Sequence, residues 1–240
     1  LEYTLTVMEI RDGLAGIHKR VEAAALACGR NPEEIKVVAV SKRFPAEKII
    51  EANENGHSLF GENQVQEARD KIALLEGRDI EWHLIGHLQS NKARIAAQCF
   101  DCIQTVDRPK IARRLDNLAS EFGRDLEVLM QVNVGGEEQK AGIDPGDAPQ
   151  LLAVIDECPN LRLQGLMTIP PYTEDPEDAR NYFQKLREIR DTLNEGRGVP
   201  LQDLSMGMSH DFEVAIQEGA TIIRVGTAIF GQRPPLKSGR

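Results

Sequence analysis

A closed parallel β/α barrel, preceded by one extra helix, is the fold this sequence predicts. Three observations predict it. Short apolar runs rich in β-branched residues alternate with longer segments of helical spacing. About eight such runs recur, each separated by a helical segment, which is the rhythm of a parallel sheet closed on itself. A length of 240 residues also suits one barrel filling 1–240 as a single domain. A doubly wound open sheet is the structural alternative, because it shares the same alternation.

The opening helix is expected over 5–28, where Leu14, Ile17, Val21 and Ala24 form one stripe. Strands are expected at 35–42, 57–63, 81–88, 102–107, 126–134, 161–169, 203–209 and 222–231. Helices are expected between them at 46–55, 64–75, 91–99, 109–122, 148–157, 177–195 and 211–218. Pro109 and Pro176 sit where a first helical turn accepts proline, and Gly56 and Gly123 sit where helices stop. The loop from Gly135 to Asp147, rich in Gly, Glu, Lys and Pro, is a candidate mobile segment over the barrel mouth. The chain ends soon after the eighth strand, so no second domain is expected.

Composition narrows the function. An apolar fraction of 41% and a charged fraction of 28% are ordinary for a globular protein. A net charge of −9 argues against a nucleic-acid partner, which needs a basic face, yet leaves room for a basic pocket holding one small anion. No apolar run approaches the roughly 20 residues of a bilayer span, and the segment from Leu1 to Arg11 carries charges where a secretory signal needs apolar residues. No membrane association, a monomer and a cytoplasmic location are therefore expected. Cys99-Phe-Asp-Cys102 has redox spacing, but Cys102 opens a strand-like run rather than a helix. Reduced thiols, with no metal site, are the simpler reading.

Lys42 closes the run Lys36-Val-Val-Ala-Val-Ser-Lys42. Strand alternation puts Val38, Val40 and Lys42 on one face. With the two valines inside the barrel, Lys42 becomes the last inward residue at the C-terminal rim, where barrel active sites lie. Partial desolvation there favours the neutral amine, able to attack an aldehyde. A solvated strand end followed by another cation, Arg43, explains the run equally well on its own.

The segment Ile222-Ile-Arg-Val-Gly-Thr-Ala-Ile-Phe-Gly231 shifts the balance. An arginine inside an apolar strand needs a partner, because burying it unpaired is costly. Gly226 lets the backbone approach a ligand, and Thr227 offers a hydroxyl and an N–H. The preceding strand ends in Gly207-Met-Ser209, just before a helix start, which is a ready anion site. Barrels commonly bind phosphate in the loops after strands seven and eight. The plainer readings are a helix cap for Ser209 and a structural ion pair with a barrel carboxylate for Arg224. His83 and His87 have helical i, i+4 spacing but straddle a glycine in a strand, so no zinc pair is implied. His83 reads as a hydrogen-bonded core residue, or as a residue beside the ligand.

Ala39-Val-Ser-Lys42, Phe60-Gly-Glu-Asn63 and Trp82-His-Leu-Ile-Gly-His-Leu-Gln-Ser-Asn-Lys92, followed by Gly165-Leu-Met-Thr168, Ser205-Met-Gly-Met-Ser209 and Arg224-Val-Gly-Thr-Ala-Ile-Phe-Gly231, run in one order over nearly the whole chain. Together they resemble the pyridoxal phosphate homeostasis protein family, whose barrel is that of the alanine racemase N-terminal domain. The resemblance implies a Schiff base between Lys42 and pyridoxal 5′-phosphate (PLP). It implies Arg224 facing the pyridine nitrogen and Ser209, Gly226 and Thr227 holding the phosphate. Asn63, His83 and Met167 would line the pocket. It also implies buffering or carriage of the cofactor inside the cell rather than an established turnover, with apo PLP-dependent enzymes as candidate recipients.

The alternative is a racemase-like amino-acid enzyme. Carbanion chemistry favours a protonated pyridine nitrogen, and an arginine cannot accept that proton. Racemases of similar fold recruit a tyrosine base from an added domain, whereas here only Tyr172, after the sixth strand, could reach the rim. A phosphosugar-handling barrel with a Schiff-base lysine and no cofactor is the third reading.

Overall fold

The structure, a computed structural model, describes residues 9–137 and 139–232. The expected first turn of the opening helix, at 5–8, lies outside the described residues. Helix α1 (Ile10–Ala27) comes first, and the chain then alternates strand and helix. The order is β1 (Lys36–Val40), α2 (Ala46–Glu54), β2 (Leu59–Glu62), α3 (Val65–Leu74), β3 (Glu81–Leu84), α4 (Ala93–Cys99), β4 (Cys102–Val106) and α5 (Pro109–Glu121). It continues with β5 (Leu126–Gln131), α6 (Ala148–Asp156), β6 (Leu161–Met167), α7 (Arg180–Asn194), β7 (Asp203–Met208), α8 (Phe212–Gln217), β8 (Ile222–Val225) and α9 (Thr227–Phe230). The eight strands are parallel and close in sequence order. β1 pairs with β2 through Ala39 and Phe60, and with β8 through Val38 and Arg224. The open-sheet alternative is thereby excluded.

Alternation divides the apolar residues between two layers. Val38, Leu59, Cys102, Leu129, Met167 and Ile222 form a buried cluster inside the barrel. Their neighbours on the strands, including Val37, Ala39, Phe60, Ile103 and Ile223, pack outward under the helices. Gly56 and Gly123 follow α2 and α5 with φ of 87° and 64°, left-handed geometry that ends a helix at little cost to glycine.

Several strands stop short of the expected bounds. The largest difference is at the end of the chain, where 222–231 was expected to be one strand. β8 ends at Val225, Gly226 becomes the N-cap, and Thr227–Phe230 winds into α9. Ile229 and Phe230 are apolar because α9 packs on the core alongside α1, and a short buried helix reads like a strand in sequence. α1 comes very close there: a Cβ on Gly13 would sit 2.7 Å from the carbonyl oxygen of Ile229. Among the described residues no helix is long and apolar enough to cross a membrane.

Candidate functional site

The C-terminal ends of the strands surround a cavity of about 460 Å³. Its wall includes Lys42, Asn63, Ser209, Arg224, Gly226 and Thr227, together with apolar Val40, Ile85 and Ile169. Small-molecule sites commonly span about 300–1,000 Å³ with mostly apolar walls and a few convergent polar groups, and this one fits that description. In a cleft of about 470 Å³ at the opposite face the carboxylates of Glu33, Glu34, Glu127 and Asp203 outnumber the single cation, Lys36, which disfavours an anionic ligand.

β1 ends at Val40, and the Ser41 N–H extends its pairing by donating to the Gly61 carbonyl at 3.1 Å. Lys42 then stands half-buried in a turn, with Arg43 next to it in the left-handed region at φ 67°. Charged side chains clamp both neighbours of the lysine. The Ser41 hydroxyl donates to Glu62 Oε1 at 2.8 Å, Lys71 Nζ donates to the Ser41 carbonyl at 2.9 Å, and the Arg43 N–H donates to Glu67 Oε1 at 2.6 Å. Lys71 Nζ also donates to Glu62 at 2.6 Å and to Glu67 at 2.7 Å. Burial raises the Glu62 carboxyl above the usual range, and Lys71 opposes that rise.

Arg224 is almost fully buried, yet it borders the cavity. Its Nη1 donates to the Ser205 hydroxyl at 2.6 Å and its Nη2 to the Thr168 carbonyl at 2.7 Å. Neither direct partner is the carboxylate that a structural ion pair would require. Burial pulls its pKa down to about 10, partly offset by the charge of Asp211, so the guanidinium stays protonated at neutral pH. Asp211 holds the turn before α8 by accepting from the Met208 N–H at 2.6 Å, which leaves Ser209 on the cavity wall. Gly226 caps α9, its carbonyl accepting from the Ile229 and Phe230 N–H groups at 2.9 Å, so that the Thr227 and Ala228 N–H groups are the ones with no acceptor within the helix.

Of the residues singled out in the sequence, Lys42, Asn63, Ser209, Arg224, Gly226 and Thr227 converge on this wall. His83 and Met167 are not among its lining residues. Met167 belongs to the apolar cluster inside the barrel, and His83 is buried between Glu81 and Gln104, at 2.8 Å and 2.7 Å. His210 was not anticipated. Its ring lies 5.6 Å from that of Tyr172, and both border the cavity. Burial also pushes the Cys99 and Cys102 thiols up, away from the reactive thiolate form.

The chain matches the family described as alanine racemase, N-terminal domain, over residues 17–234. It is 45% identical over 226 residues to the pyridoxal phosphate homeostasis protein of Aquifex aeolicus (strain VF5), covering 94% of this chain and 99% of that one. The structure of PipY from Synechococcus elongatus PCC7942, with PLP bound, superposes with a TM-score of 0.82 at 39% identity, covering 92% of this chain and 100% of that one. Alanine racemase of Clostridium difficile 630 shares the fold at a TM-score of 0.74 and 14% identity, over 97% of this chain and 59% of that one. With 45% identity over nearly the full length of both chains, this chain belongs to the pyridoxal phosphate homeostasis protein family.

Proposed function

We propose that this protein binds PLP at the barrel mouth, covalently through Lys42, and buffers or carries it inside the cell. One observation carries the reading: Lys42, Arg224, Ser209, Gly226 and Thr227 border a single cavity of about 460 Å³. When bound, the cofactor supplies an aldehyde that condenses reversibly with a primary amine. Lys42 offers that amine from a turn held on both sides by the Glu62–Lys71–Glu67 cluster. Ser209 and the start of α9 at Gly226 and Thr227 supply hydroxyl and N–H donors for a phosphate. Arg224, protonated at neutral pH and fixed by two hydrogen bonds, would offer a donor to the ring nitrogen and could not take a proton from it. Asn63 closes the side next to Ile85.

An arginine beside the ring nitrogen would leave the ring a weak electron sink, which suits holding over turnover. Handing the cofactor to apo PLP-dependent enzymes is the corresponding biological role. The test is a visible spectrum of the protein with PLP, before and after a competing amine. A band present in the native protein, lost in Lys42→Ala and bleached by the amine, is expected; an identical band in Lys42→Ala would overturn the reading. Tyr172, on the cavity wall beside His210, favours a racemase-like activity as second reading. Racemisation across an amino-acid panel that disappears in both Tyr172→Phe and Lys42→Ala would establish it.

A further inference from the structure

Polar side chains cross the barrel interior in an unbroken series. Arg224 Nη1 is 2.6 Å from Ser205 Oγ, and Ser205 Oγ is 2.6 Å from Gln104 Oε1. Gln104 Nε2 is 2.7 Å from His83 Nδ1, and His83 Nε2 is 2.8 Å from Glu81 Oε1. Ser205 and Gln104 have no solvent exposure, and His83 has 2%. Glu81 is the solvent end. Its side chain is 45% exposed and borders a cleft at the opposite face, with Lys36, Asp101 and Glu127.

The two ends fix the direction of every bond between them. A guanidinium can only donate, and an ionised carboxylate can only accept. Ser205 must therefore accept from Arg224 and pass its own proton toward Gln104 Oε1. The amide then turns its NH₂ to His83, so Nδ1 is bare and the imidazole proton lies on Nε2, donated to Glu81. The bond from His83 in turn lowers the Glu81 pKa, keeping that end an acceptor. Each member is used in one sense only. A proton on Nδ1 would reverse the amide, place its NH₂ against Ser205 Oγ, and leave the serine proton without its acceptor.

We propose that Ser205, Gln104, His83 and Glu81 are positioning residues for Arg224, forming a one-way hydrogen-bond chain that fixes its guanidinium at the cofactor-facing mouth from the far end of the barrel. The effect on the cofactor rests on the PLP reading above; the chain itself does not. His83 thus acts on the site without bordering it.

Two measurements separate these levels. Histidine imidazole ¹⁵N spectra of the protein without PLP, assigned by comparison with His83→Asn, are expected to show His83 neutral with Nε2 protonated. A neutral His83 protonated on Nδ1 would overturn the chain whatever the protein binds. Gln104→Leu severs the chain, and PLP release is expected to quicken by up to about tenfold, the scale of one neutral hydrogen bond. Gln104→Glu offers an acceptor to both neighbours. It is expected to restore slow release while leaving His83 protonated on both nitrogens. Equal release from the leucine and glutamate variants would overturn the positioning role. Absence of any Lys42-dependent PLP band in the native protein would sink the functional reading and leave the tautomer result standing. Should Gln104→Leu fail to fold, the native tautomer and the glutamate variant still decide the matter.

Discussion

Lys71 donates a 2.6 Å hydrogen bond to Oε1 of Glu62, a carboxylate with no solvent exposure whose second oxygen has no hydrogen-bond partner among the described residues. Such a pair is weak evidence for stability, because desolvating both charges offsets most of their attraction. Its asymmetry is the useful part. Removing Lys71 leaves the buried Glu62 carboxylate with only the Ser41 hydroxyl, whereas removing Glu62 leaves Lys71 with two acceptors.

Lys71→Met is accordingly expected to destabilise the fold by about 3–5 kcal/mol, measured by denaturant unfolding at neutral pH. Glu62→Gln should cost less, because Lys71 keeps Glu67 and the Ser41 carbonyl. Burial already raises the Glu62 carboxyl, so the native state takes up its proton more readily than the unfolded chain. Loss of Lys71 raises it further. The stability deficit of Lys71→Met should then shrink as pH falls and the stranded carboxyl is neutralised. A deficit independent of pH would contradict the ionic origin of the clamp.

Arg224→Ala should speed PLP release without abolishing covalent attachment, since the amine of Lys42 is untouched. Arg224→Lys should recover little of the loss, because one ammonium cannot reproduce the fork that reaches both Ser205 and Thr168. Band amplitude at saturating PLP and the rate of transfer to an apo-enzyme give the two readings. Amplitude lost as completely as in Lys42→Ala would show that Arg224 is needed for the bond itself.

Arg224 is legible in the sequence because it is a cation inside an apolar strand, where it needs a partner; Lys42 lies just past the end of β1, and its run alone fits a solvated strand end equally well. Gln104 and Ser205 carry the same signal more weakly. Each is an inward polar residue, Gln104 sharing a face with Cys102 and Ser205 lying in a strand of which all but the two end residues are buried. Neutral side chains raise less alarm than charges, and their partners lie on distant strands. The Glu62–Lys71 pair spans a strand and the following helix, where sequence spacing says little about contact. The end of β8 misleads because an apolar run fits a buried strand and a buried helical turn alike. Once Gly226 is seen as a cap, the same residues supply a helix start beside the cavity.

His57 tests the electrostatics away from the site. It is buried at the start of the β2 segment, where its Nε2–H donates to the Leu59 carbonyl at 2.8 Å. Burial lowers its pKa below the reference of 6.5, with the nearby charge of His18 adding to the effect. The unfolded chain therefore binds the proton first as pH falls. Stability should be fully present above about 6.5 and decline below it. His57→Gln keeps a donor and removes the titration. A stability profile from pH 5 to 7.5 should be flatter for that variant, and an unchanged slope would assign the acid sensitivity elsewhere.

Two glycines one turn apart on α1 should respond oppositely to alanine. Helix propensity alone favours alanine at both by about 1 kcal/mol. At Gly16, exposed and with nothing among the described residues within 4 Å of a new Cβ, that gain should appear as added stability. At Gly13 the same methyl would lie 2.7 Å from the Ile229 oxygen and 2.9 Å from the Ala228 oxygen, against backbone that cannot yield without moving α9. Overpacking of that kind costs about 1–3 kcal/mol, enough to outweigh the propensity gain. Because α9 begins at Gly226 and Thr227, the proposed phosphate donors, Gly13→Ala should also quicken PLP release, while Gly16→Ala leaves it unchanged. Destabilisation without faster release would mean that α1 braces the fold but not the cradle. Faster release in both would trace the effect to the helix itself rather than to its contact with α9.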